Sequence, residues 1–226
     1  MPRSKKAAKQ EIIACLCLDR QFLPSPKSTV IPPLILASSS IYRRELLSRL
    51  KIPFSCVAPE VDESPKPGET VSELALRLSI LKAQTVARQH PEAIVIGADQ
   101  AASLAGQIIG KPGSLLAAEQ QLGRLSGQTV VFHSALTVMC GDSYCKSIDV
   151  PTTCVFRALS HTAIQRYVQI DQPSDTAGSA KAECLGIALM ERMNSSDPTA
   201  IIGLPLIALT RMLCEVGLDP LEHAKV

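Results

Sequence analysis

The stretch from Leu34 to Leu50 limits the fold of this chain more than any other. LILA (Leu34–Ala37) is an apolar run of the kind that forms a buried strand. Three serines follow, able to cap a helix, and a helical segment is expected over Tyr42–Leu50. Strand, hydroxyl-rich turn and helix form the opening unit of a layered α/β domain. The rest of the chain continues in kind. FSCVAP (54–59) reads as a second strand, the acidic, proline-rich EVDESPKPGET as a loop, and VSELALRLSILKAQTVARQH as a long amphipathic helix capped by Thr70 or Ser72. Leu74, Leu78, Leu81 and Val86 fall at roughly helical spacing on it, and Lys82 rides on the same helix. AIVIGADQ reads as a strand that ends abruptly at Gly97-Ala98-Asp99-Gln100, and AGQIIGKP as a short hairpin arm that delivers Lys111. A helix over Leu115–Leu125, an antiparallel pair turning at Gly141-Asp142-Ser143, a helix over Ser160–Ile170 and a last helix over Leu204–Val216 complete the series. The expected fold is α/β, with a mixed central sheet flanked by helices.

Residues 1–32, rich in Lys, Ser and Pro and without sustained periodicity, read as a flexible extension ahead of one domain spanning 33–226. Within it the apolar run Ile12–Leu18 is at the short limit for a signal peptide, and Asp19 and Arg20 leave no clear small-residue cleavage site. A cytoplasmic protein is therefore expected. The apolar stretch Ala200–Leu209 contains Gly203 and Pro205 and stops at Arg211, far short of a membrane span. A net charge of +2 is too small for a chain-wide polyanion-binding surface, so no nucleic-acid partner is expected and phosphate contacts must come from locally placed Lys and Arg. The 8 cysteines lack Cys-x-x-Cys spacing and read as free thiols. The 4 histidines show neither metal-ligand spacing nor an evident Ser or Cys partner, and neither a Walker-type loop nor Gly-x-Gly-x-x-Gly occurs.

Three groups of residues could carry chemistry. Ser38, Ser39, Ser40, Tyr42, Arg43, Arg44 and Glu45 sit where a strand passes into a helix, and hydroxyls, helix-start N–H groups and an Arg fork together suit a phosphate; a capped helix with a solvated first turn is the alternative. Basic residues in a helix's first turn oppose its dipole, which tilts the balance toward an anion. Asp99, at the end of its strand, can hold a divalent cation or take a proton from water, or can be a turn residue. Asp62 and Glu63 supply further carboxylates in the acidic loop. Lys82 and Lys111 present ammonium groups from different elements, and Lys111 is framed by Gly110 and Pro112.

LILASSSIYRRELLSRL, APEVDES, ELALRLSILKAQ, VIGADQ, GKP, AGSAKAE and IIGLPLIAL together resemble, in order, the motifs of the Maf-like nucleotide pyrophosphatases over about residues 33–221. Ile41 departs from the pattern, which usually has Pro before the basic pair; this removes a helix-start preference but no functional group. The resemblance implies a Maf/ITPase-like sandwich with a deep cleft, a homodimer, and hydrolysis of nucleoside triphosphates between the α and β phosphates with a divalent metal, Mg²⁺ or Mn²⁺. It implies that Asp99 is the catalytic carboxylate, Glu63 its metal- or water-positioning partner, and Ser38, Arg43, Lys82 and Lys111 the phosphate-binding groups. Asp99 and Glu63 would be the metal ligands. A dTTP- and UTP-acting subgroup presents Arg, Thr and Gln where this chain has Tyr42, Gln100 and Glu183, and these three residues resemble the 7-methyl-GTP subgroup instead. N7-methylguanine is cationic, so an aromatic face and a nearby carboxylate suit it, and Glu183 can accept from the guanine N1 and N2 donors. The rival readings are a pyrophosphatase for pyrimidine or other modified nucleotides, and a non-catalytic nucleotide-binding regulator of cell division.

Overall fold

The computed structural model describes residues 31–225. Most of the expected extension, with Cys15, Cys17 and the run Ile12–Leu18, lies outside them. The elements follow as β1 (Leu34–Ala37), α1 (Ile41–Ser48), β2 (Phe54–Cys56), α2 (Val71–Ala87), β3 (Ile94–Leu104), β4 (Gln107–Ile109), α3 (Leu115–Leu125), β5 (Thr129–Cys140), β6 (Tyr144–Phe156), α4 (His161–Asp171), β7 (Met190–Ser195), α5 (Leu206–Glu215) and α6 (Pro220–His223). Short 3₁₀ turns lie at Ala177–Ser179, Leu185–Leu189 and Ala200–Ile202. The strands form one 7-stranded mixed sheet in the order β2-β1-β3-β5-β6-β7, with β4 paired to β3. β1 runs parallel to β2 and β3, and the other pairs are antiparallel.

Local chemistry sets the element ends. Ser40, Ser114 and Ser160 cap α1, α3 and α4 with their hydroxyls, and Thr70 and Glu73 close a reciprocal capping box on α2. Each such cap is worth about 1 kcal/mol. Pro205 stands at the start of α5, so this helix begins at Leu206 rather than Leu204, and the short α6 follows it. Of FSCVAP only Phe54–Cys56 forms strand β2, and the Val57 N–H still donates to the Leu36 carbonyl at 3.0 Å.

The two faces of the sheet are covered differently. α2 lies alone on one face, where Ala83 and Val86 pack with Ile35, Ala37 and Val95, and Leu74, Ala75 and Leu78 with Ala101 and Ala135. The other face takes α1 and α5 on Ile94, Ile96 and Leu136, and α3 and α4 on Phe132 and Phe156. Side chains alternate along β3, so Asp99 turns to the α2 face and Gln100 to the other.

The strand bearing Asp99 corrects the sequence reading. It does not stop at Gln100 but runs on to Leu104, because Gly97–Gln100 pair with Ser134–Thr137 of β5. On its other side the register with β1 ends at Ala37 opposite Gly97, and that with β4 begins at Ala102 opposite Ile109. Residues 98–101 therefore have a strand neighbour on one edge only. Asp99 thus lies not at a strand's end but at a gap between two successive partners of one continuous strand.

Candidate functional site

A cavity of about 640 Å³ opens at this gap. The end of β1 and start of α1 give it Ser38, Tyr42 and Arg43, β3 gives Asp99 and Gln100, and the segment after β4 gives Lys111. Lys82 enters from α2, Glu63 from the acidic loop and Glu183 from the segment before β7. Every residue singled out as a site candidate by the family motifs thus faces one space. Asp62 does not: its carboxylate accepts the Ser64 N–H at 2.9 Å, and it lines a separate depression on the outer side of α2.

Lys82, Asp99 and Glu63 form the centre. The Lys82 ammonium lies 2.6 Å from Asp99 Oδ1 and 2.6 Å from Glu63 Oε1. Lys82 reaches Asp99 because Gly97 lets α2 settle onto β3; a Cβ there would stand 2.2 Å from the Ser79 carbonyl oxygen. Glu63 reaches Lys82 because its loop is pinned. Arg77 of α2 donates from Nε and Nη2 to the two oxygens of Glu69 at 2.6 and 2.8 Å, and from Nη2 to the Ser64 carbonyl at 3.0 Å. Desolvation pushes the Glu63 carboxyl up, but the hydrogen bond and charge of Lys82, with the charges of Lys111 and Arg43, outweigh it and hold the group below its ordinary value. Glu63 is ionised at neutral pH.

Arg43 is fixed by a donation from Nε to the Gly203 carbonyl at 2.9 Å, and Nη1 lies 3.5 Å from Ser38 Oγ. Burial lowers its pKa against the opposing pull of Asp99 and Glu63. Ser38 is buried, and its hydroxyl also accepts the Ser40 N–H at 3.1 Å. At the start of α1 the N–H groups of Ser39, Ile41 and Tyr42 have no protein partner among the described residues, as the first donors of a helix do not. Arg43, Lys82 and Lys111 outnumber Asp99 and Glu63 here, so the region favours an anion.

The specificity candidates are held by contacts the sequence reading did not foresee. Gln100 Nε2 donates to the carbonyls of Ala200 at 3.1 Å and Ile201 at 2.9 Å and to Ser134 Oγ at 3.0 Å, which leaves Oε1 as its available acceptor. The segment offering those carbonyls is clamped by the buried Asp197. Its carboxylate accepts the Thr199 N–H and hydroxyl at 3.0 and 2.7 Å and the Ile207 N–H at 2.7 Å. Tyr42 donates its hydroxyl to Asp175 at 3.4 Å, and Asp175 in turn pairs with Lys181. The Glu183 carboxyl is pushed up by desolvation, a shift that Asp171 and Asp175 reinforce and Lys181 opposes.

The family model described as Maf-like protein matches residues 33–216. The chain belongs to the Maf-like family. Among curated Maf-like relatives, a 7-methyl-GTP pyrophosphatase of Bordetella pertussis is 60% identical over 84% of this chain and 96% of its own length. Another, of Thiobacillus denitrificans, is 54% identical over 84% and 95%. Among solved structures, a HAM1 protein from Coxiella burnetii aligns over 79% of this chain and 99% of its own with a TM-score of 0.46 and 16% identity.

Other buried polar contacts of this Maf-like chain, at the cavity and away from it, had little local signature. Asp197 sits in the unremarkable stretch SSDPTA, where its only local sign is an Asp two residues ahead of a Thr, the spacing of a side-chain-bonded turn. His133 finds its partner in Asp149, 2.6 Å away across β5 and β6. The 6 described cysteines are free, and among the described residues no cluster of three His, Cys, Asp or Glu converges on a point. No described helix is long and apolar enough to cross a membrane.

Proposed function

We propose that this chain hydrolyses 7-methyl-GTP between its α and β phosphates, giving 7-methyl-GMP and pyrophosphate. One observation carries the reading: the carboxylates, the cations and the aromatic–amide–acid trio all line one cavity, in a chain 54 to 60% identical to relatives bearing that activity's name.

Arg43, Lys82 and Lys111 hold the triphosphate, helped by Ser38 and the open N–H groups at the start of α1. Tyr42 stacks on the base, whose positive charge favours an aromatic face. Glu183, its affinity for a proton raised, accepts from the base N1 and N2 donors, and Gln100 offers Oε1. Water attacks the α phosphorus, the bond from that phosphorus to the α–β bridging oxygen breaks, and the oxygen leaves with pyrophosphate. Asp99 is the group to receive the water's proton: Oδ1 is taken by Lys82, whereas Oδ2 has no protein partner among the described residues. Positioning and neutralised charge lower the barrier, as in other phosphoryl transfers.

The donor set fits a divalent cation of the Mg²⁺ or Mn²⁺ type. Asp99 and Glu63 would hold it, with substrate oxygens and water completing the shell, which is how Mg²⁺ is usually bound at phosphates. Bound there, it would neutralise developing charge on the phosphate oxygens. The same reading has the chain act as a homodimer, on the strength of the family resemblance.

Pyrophosphate release from 7-methyl-GTP, GTP, dTTP and UTP, with and without Mg²⁺, tests the reading. The highest kcat/KM is expected for 7-methyl-GTP with metal, and Asp99→Asn should abolish turnover while keeping the fold. A preference for the pyrimidines, metal-independent turnover or an active Asp99→Asn would each overturn the corresponding part.

A further inference from the structure

Beside Tyr42 lies a pair of charges that the family motifs did not single out. Asp175 lines the cavity, with Oδ1 3.2 Å from Lys181 Nζ and Oδ2 accepting the Tyr42 hydroxyl at 3.4 Å. The Lys181 ammonium also stands 5.8 Å from the centre of the Tyr42 ring, within cation–π range. Its side chain is only 13% exposed, against 58% for Asp175. The residue is further fixed by its backbone N–H, which donates to the Tyr167 hydroxyl at 3.0 Å, and by Gly186, where a Cβ would come within 2.5 Å of the Lys181 carbonyl. A lysine so held is not a freely solvated surface group. It occupies a cation-binding region of the very ring on which the base is proposed to stack.

We infer that Asp175 and Lys181 are specificity-determining residues that set, with opposite signs, how strongly the cavity favours a positively charged base over a neutral one. The inference rests on the nucleotide pyrophosphatase reading above. Asp175 adds a second carboxylate to Glu183 near Tyr42, and both attract the charge of an N7-methylated purine while doing little for an unmethylated one. Lys181 works against them. It partly neutralises Asp175 and repels a second cation from the same ring. Desolvation raises the Asp175 carboxyl, but the hydrogen bond and charge of Lys181 overcome this and keep the group ionised at neutral pH. The pair thus tempers a preference that Tyr42 and Glu183 would otherwise express more strongly.

The opposed signs supply the test. The ratio of kcat/KM for 7-methyl-GTP to that for GTP is measured in the wild type, Asp175→Asn and Lys181→Met, at low and high salt. One unit charge several ångströms from the base, in a partly solvated site, is worth about a three- to tenfold change in this ratio. Asp175→Asn should lower the ratio by that factor and Lys181→Met should raise it, and both changes should shrink as salt screens them. A purely structural role would alter both substrates alike. Equal effects on the two substrates, or a ratio moving the same way in both variants, would overturn the inference while leaving the activity itself intact. A wild type that releases no pyrophosphate from either nucleotide would overturn the activity and this inference with it.

Discussion

Replacing Gly97 with alanine tests whether the close approach of α2 to β3 is what brings Lys82 onto Asp99. The backbone at Gly97 lies in a paired strand and does not need a glycine conformation, so the whole effect is steric. An alanine Cβ would meet the Ser79 carbonyl oxygen at 2.2 Å, the Ala83 nitrogen at 2.7 Å and the Ala83 Cβ at 2.8 Å. These are atoms of the helix and its first side-chain carbons, and none can swing aside. To move the closest from 2.2 Å to the 3.4 Å of ordinary contact, α2 must retreat by 1.2 Å. Lys82 lies between Ser79 and Ala83 on that helix, and Asp99 lies two residues beyond Gly97, so the 2.6 Å ion pair takes much of the displacement. Overpacking of this kind costs about 1–3 kcal/mol, and at roughly 2–4 °C per kcal/mol for a domain of this size the melting temperature should fall by up to about 10 °C once the unfolded-state offset is subtracted. The reduced backbone freedom of the unfolded chain offsets only about 0.4–1 kcal/mol of that. Turnover should fall further than stability does, by about a hundredfold, because displacements near 1 Å in a catalytic constellation carry that order of penalty. Calorimetry and pyrophosphate release at a temperature where the variant is fully folded separate the two effects. Wild-type turnover in a folded Gly97→Ala protein would refute the claim that this contact sets the catalytic geometry.

Gly203→Ala should act on Arg43 through the Gly203 carbonyl that fixes its Nε, because φ +113° is strained for any other residue while the added Cβ, 3.5 Å from Arg43 Nε, makes only ordinary contact; about 1–3 kcal/mol of backbone strain should appear in the melting curve together with a raised KM. Glu69 is held down to about 2 by its hydrogen bonds from Arg77 and then from the Lys66 N–H. A carboxyl lowered on folding contributes stability that is complete above its unfolded value near 4.3 and is lost as pH falls toward its folded one. Glu69→Gln should therefore lower the melting temperature at pH 7 and flatten its decline between about pH 5 and pH 2, which thermal melts across that range would show. Lys82→Met removes the partner that most strongly counters the desolvation of Glu63, so the Glu63 carboxyl should titrate at higher pH than in the wild type, as carboxyl-carbon NMR can follow; an unmoved titration would contradict the bridging role given to Lys82.

What could be read from the sequence and what could not divide along a physical line. Apolar periodicity reports burial along the chain, so LILA, the long helix carrying Lys82 and the antiparallel pair across Gly141-Asp142-Ser143 were all legible, and the helical pattern set Lys82 on the same element as the apolar residues that pack on the sheet. Pairing across the chain leaves no such trace. Nothing local in VIGADQ says that the strand continues, since Gly97-Ala98-Asp99-Gln100 resembles a turn and is extended only because β5 holds its other edge. Nothing near Tyr42 points to Asp175, 133 residues away, nor does anything near Arg43 point to the Gly203 carbonyl 160 residues on. The ordered motifs nonetheless named the residues that meet, because their positions are tied to one feature of the sheet. Along one edge β3 changes partners, parallel β1 giving way to antiparallel β4, and the unpaired residues between them are the only part of that edge between Ile94 and Leu104 where a ligand can reach the strand. Asp99 lies inside this seam, Ser38 and Arg43 follow the end of the first partner, and Lys111 follows the end of the second. A change that lengthened β1 past Ala37 or brought β4 closer to Gly97 would close the gap without touching any of these side chains, so the lengths of two short strands are as much a part of the site as the carboxylates.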